Sequence, residues 1–286
     1  MVSELISTDT LKRLDGFIEM STGDIRFLEK MLREIRVEKA LEVGVSAGGS
    51  SALLLSLFPS DADTVLYAVD YKHHYHRDKS RKAGFLVAER FPEFLANYHL
   101  FTGDDVSGFI DKIGGDIDFA LVDTSHTHPI ETLNVLTILP FMKPDSWIVL
   151  HDIGIFLKPF YNSFATKYIF DAWQGERIES EFKSESIDAP NIGAIKVEKL
   201  EENTRQLLSL LFNRWDKDVP DKDLAQTRSI IEAHYTKQDL ASFDRAVAYN
   251  QGYLEQANSI KKNVKDVEKL LRARWRRMFR SFRIGV

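Results

Sequence analysis

Leu41-Glu42-Val43-Gly44-Val45-Ser46-Ala47-Gly48-Gly49-Ser50-Ser51 is an apolar, strand-length run that breaks into a glycine turn and continues as a helix-length segment, Ser50–Phe58. A glycine turn between strand and helix lets a ligand approach the backbone and meet the first N–H groups of the helix. Outward from this turn the same alternation repeats. Lys39–Val45, Val65–Val69, Tyr98–Phe101, Ile117–Val122 and Trp147–Leu150 are strand-length apolar runs. Between them, Lys79–Phe91, Val106–Ile113 and Ile130–Pro140 are long enough for helices. Alternating strands and helices imply βαβ units and a parallel sheet covered on both faces, with ligands beyond the carboxyl ends of the strands. Residues 9–36 read as helix ahead of the sheet, with Asp24 as an N-cap. After a helix over Tyr161–Trp173 and an extended stretch over Arg177–Phe182, Ile192–Val197 forms a last strand, and from about Leu200 only helical patterns remain. The expected organisation is therefore an N-terminal helical segment (1–36), a Rossmann-like α/β domain (37–199) and a helical C-terminal extension (200–286).

The residues just after each run decide the ligand. The dinucleotide pattern G-x-G-x-x-G would need glycine at 44, 46 and 49, but position 46 is Ser. Glu42 precedes the turn, where it would repel a pyrophosphate and attract an ammonium group such as that of S-adenosylmethionine. Asp70 ends the second run, 26 positions after Gly44, where the hydroxyls of an adenosine ribose would meet a carboxylate. Gly103-Asp104-Asp105 ends the third, placing Asp104 where an adenine amino group could be met or where it would cap the following helix. Gly44, Ser46 and Gly48 would carry the turn, and Glu42, Asp70, Asp104 and Asp123 the polar contacts to the cofactor.

Two further stretches carry a resemblance. They are Ile117-Asp118-Phe119-Ala120-Leu121-Val122-Asp123-Thr124-Ser125-His126 and Leu139-Pro140-Phe141-Met142-Lys143-Pro144-Asp145-Ser146-Trp147-Ile148-Val149-Leu150-His151-Asp152. From Ala40 to about Val197, roughly 55% of the chain, the sequence resembles class I methyltransferases, and within them bacterial sugar and small-molecule O-methyltransferases. That group shows an "IDGDH" element, a helix, "LKPGG" and a strand ending in "HD". Here Asp123 and His126 are kept, Thr124-Ser125 replace Gly-Asp, and Asp145-Ser146 replace the two glycines. Asn191-Ile192-Gly193-Ala194-Ile195 resembles the antiparallel strand that closes the fold. The resemblance implies S-adenosylmethionine as cofactor and a hydroxyl of a sugar, nucleotide sugar or glycan end as acceptor. It also implies a divalent cation, magnesium or manganese, held at Asp123, His151 and Asp152, although the middle ligand is acidic in the related enzymes and histidine is a poor magnesium ligand. Neighbouring strand ends lie about 4.8 Å apart, so carboxylates there can share one cation and acidify an acceptor hydroxyl. His126 is the first choice for a general base, acting as a neutral imidazole near pH 7, with His151 the alternative. His73-His74-Tyr75-His76 reads as a loop flanking the adenosine or acceptor rather than as a metal tract.

The chain has no cysteine, which excludes thiolate metal sites, disulfides and cysteine nucleophiles. The N-terminus lacks the pattern of a secretory signal, and a cytoplasmic enzyme is expected. The net charge of −5 is uneven: residues 261–286 hold ten Lys/Arg against two Asp/Glu, which leaves the remainder at −13. An acidic body disfavours nucleic-acid substrates. Leu271, Trp275, Met278, Phe279 and Phe282 fall on one helical face, with Arg274, Arg276, Arg277, Arg280 and Arg283 opposite. Two readings of 271–286 stay open: peripheral contact with the inner face of an anionic membrane, or packing within a homo-oligomer. A non-catalytic scaffold that retains the cofactor fold is the competing functional class.

Overall fold

The computed structural model describes residues 6–59, 63–159, 161 and 163–281, and for 257, 258, 261–263 and 272–281 the backbone alone. In chain order the elements are α1 (Thr8–Leu14), α2 (Thr22–Glu34), β1 (Lys39–Val43), α3 (Gly49–Leu57), β2 (Val65–Asp70), α4 (Phe85–Arg90), β3 (Tyr98–Thr102), α5 (Ile110–Ile113) and β4 (Ile117–Val122). They continue with α6 (Ile130–Ile138), β5 (Met142–His151), α7 (Ala165–Ala172), β6 (Arg177–Glu179), β7 (Ile192–Lys196), α8 (Leu200–Leu210), α9 (Asp221–His234) and α10 (Lys237–Ser281). One seven-stranded sheet runs β3-β2-β1-β4-β5-β7-β6. Its first five strands are parallel, and β7 pairs antiparallel with both β5 and β6. The chain steps outward from β1 to β3 and then returns to the other side of β1 as β4. The carboxyl ends of β1 and β4 thus flank the switch point where such sheets bind ligands.

Period-2 alternation sends successive strand residues to opposite faces. Leu41, Val43, Ala120, Val122, Ile148 and Leu150 pack on one face, while Ala40, Phe119, Leu121 and Val149 pack on the other. The second face is covered by α1 to α4 through residues such as Leu14, Leu28, Leu53 and Leu86. The first is covered by α6 to α9 and the start of α10, through Leu136, Ile169, Leu207, Ile231 and Phe243. Residues 1–36 and 200–286 therefore do not pack as separate units where they are described. Their helices are layers of the same core, because a sheet buried on both faces needs more apolar cover than its own crossover helices supply.

Three local expectations are corrected. The single helix over 9–36 is two helices, and the turn between them carries Phe17, Glu19 and Met20 to a cavity at the carboxyl ends of the parallel strands. Ser21, not Asp24, caps α2, and Asp24 is the first-turn partner of a capping box, its carboxylate accepting from the Ser21 N–H at 2.9 Å. The helix expected over Lys79–Phe91 is confined to α4. Helix α10 spans 45 residues, and past its buried start Ile260, Val264, Val267, Leu270 and Leu271 are exposed. Apart from Leu271, the amphipathic face read over 271–286 lies outside the described side chains. Among the described residues, no helix is long and apolar enough to cross a membrane.

Candidate active site

A cavity of about 380 Å³ opens at the carboxyl ends of β1, β2, β3 and β4. Its floor is the glycine turn. Gly44 has φ +97°, and a Cβ there would lie 1.8 Å from the Asp123 carbonyl oxygen, so a side chain is excluded by both the conformation and the space. Ser46 also lies in the left-handed region, at φ +55°. Its substitution for glycine in the dinucleotide pattern thus leaves the turn geometry in place. The N–H groups of Val45 and Ser46 donate to Asp70 Oδ2 at 3.1 and 2.8 Å, and the Lys72 N–H donates to Oδ1 at 2.7 Å. Asp70 is therefore both on the cavity wall and the strut of the turn.

Glu42 departs from its expected place. It is fully buried beneath the turn and does not line the cavity; its two oxygens accept from the hydroxyls of Ser50 and Ser51. Ser50, on the wall, is the group that faces the ligand space. Burial pushes the Glu42 carboxyl up from its usual 4.5 to about 8, against the two hydroxyls. A raised pKa means that its contribution to stability is full below about pH 4.5 and is lost as the pH rises through about 8. Glu42→Gln should therefore show a shallower fall in Tm between pH 6 and 9 than the native protein, as followed by circular dichroism. Parallel curves for the two proteins would contradict this assignment.

At the other end of the cavity stands a charged cluster. Asp123 follows β4, and its N–H donates to the Val43 carbonyl at 2.9 Å. His126 Nε2 lies 3.0 Å from Asp152 Oδ2 and 3.8 Å from Asp123 Oδ1. The His126 N–H and the Thr124 hydroxyl both donate to Glu131 Oε1, at 2.6 and 2.8 Å. The Asn191 amide donates to Asp152 Oδ1 at 2.5 Å. His126 and Asp152 hold φ values of +52° and +61°. Such conformations cost about 1–3 kcal/mol each and concentrate at functional sites. Burial works against the charge on His126, but Asp152 and Asp123 outweigh it and raise the imidazole to about 9. The expectation of a neutral imidazole near pH 7 is thereby corrected: in this arrangement His126 carries a proton. Asp152, opposed by burial but facing two histidines, is held well below the carboxylate range.

The expected metal set is met differently. Ligand atoms of Asp123, His126 and Asp152 all lie within 4.8 Å of one another. His151 is not among them. Only 4% exposed, it is clamped between carboxylates, with Nδ1 3.1 Å from Asp123 Oδ1 and Nε2 3.3 Å from Asp24 Oδ2. Burial opposes its protonation, but Asp123, Asp24 and Asp152 hold it well above the usual histidine range. It is a buried cation that orients Asp123, and neither ring nitrogen is free to bind a metal or take a proton. Two carboxylates and an imidazole suit a divalent cation, and the three side chains converge without rearrangement of the fold, so the residues fit such an ion, whose binding would displace the proton from His126 Nε2.

Asp104 lines the cavity but is already engaged by α9. Its Oδ2 receives Lys222 Nζ at 2.7 Å and Gln226 Nε2 at 3.2 Å, both from α9. Its neighbour Asp105 lies on the cavity wall, pushed up to about 6 by burial and by Asp223 and Asp104. Of the histidine tract, His74 and His76 reach the cavity, and no metal cluster forms there among the described residues. The sequence reading missed Asp24, Asp105, Asn191 and the α9 residues. Only the S-x-x-D spacing of Ser21 and Asp24 offered a signal, and it points to a cap rather than a site.

Residues 41–153 match a family model described as a methyltransferase domain. No curated protein matches the chain. Among solved structures, the O-methyltransferase TomG of Streptomyces achromogenes, in complex with SAM and involved in tomaymycin synthesis, has 15% identity and a TM-score of 0.50 over 68% of this chain and 91% of its own. An O-methyltransferase of Bacillus cereus in complex with SAH has 14% identity and a TM-score of 0.46, over 68% of this chain and 89% of its own. At this identity the TomG likeness is one of fold. The matched segment, 41–153, runs from β1 to just past β5 and so contains the glycine turn and the Asp123 cluster, and the sheet order is that of a Rossmann-like fold.

Proposed function

We propose that this chain is an S-adenosylmethionine-dependent O-methyltransferase whose acceptor is a hydroxyl of a sugar, nucleotide sugar or glycan end. The observation that carries the reading is one cavity with Asp70 and the glycine turn on one side and Asp123 and His126 on the other. Asp70 and the Ser50 hydroxyl, both on the cavity wall, would bind ribose hydroxyls and an ammonium group, and the cofactor when bound supplies an electrophilic methyl group on sulfur. Asp123, His126 and Asp152 would hold a divalent cation, which supplies Lewis acidity to acceptor oxygens. Asp123 orients the acceptor hydroxyl, and His151, itself fixed by Asp24, keeps Asp123 in place. Glu19, His74, His76, Ser125 and Lys217 on the wall give the acceptor space a polar lining suited to a polyol.

Turnover with a panel of nucleotide sugars, followed by S-adenosylhomocysteine release, tests the acceptor class. Chelation by EDTA is expected to abolish it, with magnesium or manganese restoring it. A second reading rests on the raised pKa of His126. Without a metal, its imidazole becomes a base only as the pH approaches about 9. Activity that survives EDTA and climbs over that range would favour this metal-free base.

A further inference from the structure

Helix α9 lies outside the matched domain, yet one of its faces looks into the cavity. Pro220, just before it, and Asp223 and Thr227 within it follow one another at helical spacing, and all three line the wall. The adjacent face carries Lys222 and Gln226, which are fastened to Asp104 at 2.7 and 3.2 Å. A third face buries Leu224, Ile230 and Ile231 in the core. The helix is thus fixed in orientation by contacts that leave the Thr227 face toward the ligand space.

Thr227 is 1% exposed, and its hydroxyl has no hydrogen-bond partner among the described residues. Elsewhere on the same wall, Asn134 is equally buried; its amide N donates to the Thr124 hydroxyl at 3.3 Å, and its Oδ1 has no partner. A buried, unpaired hydroxyl and an unpaired amide oxygen are unfavourable unless something completes them. Through Lys222 and Gln226 the Thr227 segment is held against Asp104 at the β3 strand end, while Asn134 is bonded to Thr124 just after β4, so the two unpaired groups approach the cavity from different strand ends. An adenine ring presents the complementary groups, an exocyclic amine that donates and ring nitrogens that accept.

We infer that α9 completes the nucleobase subsite of the cofactor pocket, with the Thr227 hydroxyl hydrogen-bonding the adenine ring. The C-terminal extension is then part of cofactor recognition. This rests on the reading of the cofactor as S-adenosylmethionine. The probe is S-adenosylhomocysteine, titrated calorimetrically into the full chain and into T227V and T227S.

T227V removes the hydroxyl and keeps the shape, so affinity should fall about five- to tenfold. T227S keeps the hydroxyl and should bind within about twofold of the native protein. In the absence of ligand, T227V should melt at or above the native Tm, because a methyl replaces a hydroxyl that has nothing to bond. Native-like affinity in T227V would overturn the inference. So would equal weakening in T227V and T227S, since packing rather than the hydroxyl would then matter. If the native protein itself fails to bind S-adenosylhomocysteine, the cofactor reading fails first, and the inference goes with it.

Discussion

Asp123→Asn is expected to lower turnover by roughly 10²–10⁴-fold, the range seen when a group acting directly on the reacting hydroxyl is lost. The substitution keeps the volume of the side chain and the N–H bond to Val43 that closes β4 against β1. It removes one charge, which faces His126 at 3.8 Å and His151 at 3.1 Å. In the metal reading one of three ligands weakens; in the metal-free reading the carboxylate that orients acceptor and imidazole is gone. Affinity for S-adenosylhomocysteine should change only a few-fold, because Asp70 and the turn are untouched. Steady-state kinetics beside calorimetry separate the two effects. A loss of turnover below tenfold, with the fold intact, would remove Asp123 from the chemistry.

The acids at the strand ends were legible in the sequence because strand period and turn chemistry are local. The runs Lys39–Val45, Val65–Val69 and Ile117–Val122 fall on β1, β2 and β4, which end at Val43, Asp70 and Val122, and the cavity lies where those ends meet. What the sequence did not reveal is depth. Glu42 sits two residues before Gly44, and one-dimensional spacing cannot tell an acid that faces a ligand from one turned under the turn to meet Ser50 and Ser51. Pairing across the chain was equally hidden. Asp24 and His151 are 127 positions apart, and nothing in either neighbourhood announces the other. Thr227 belongs to no motif, and its place on the cavity wall follows only from the packing of α9 against the core. The protonation of His126 was misread for the same reason, since Asp152 faces it from another strand end.

His151→Leu should be the most damaging single change to stability. The native imidazolium sits among Asp24, Asp123 and Asp152, at 3.3, 3.1 and 3.7 Å, and is 4% exposed. Leucine is of similar size, so little cavity opens, but three carboxylates lose the cation that lies between them. Removing one member of a buried ion-paired set typically costs about 3–5 kcal/mol, because the charges left behind stay desolvated. For a chain of this size that corresponds to a drop in Tm of roughly 6–20 °C. Asp24 sharpens the test. Burial would raise its carboxyl, but His151 and Ser21 hold it below its usual value, so its contribution is present above about pH 3.8 and is lost as the pH falls through the lowered pKa. Without His151 that acid limb should begin at a higher pH. Adding Asp24→Asn to His151→Leu removes one stranded charge and should recover part of the lost Tm, giving a coupling that simple additivity does not predict. If the double variant is instead destabilised by the sum of the two single changes, His151 and Asp24 act independently and the buried clamp is not what holds Asp123.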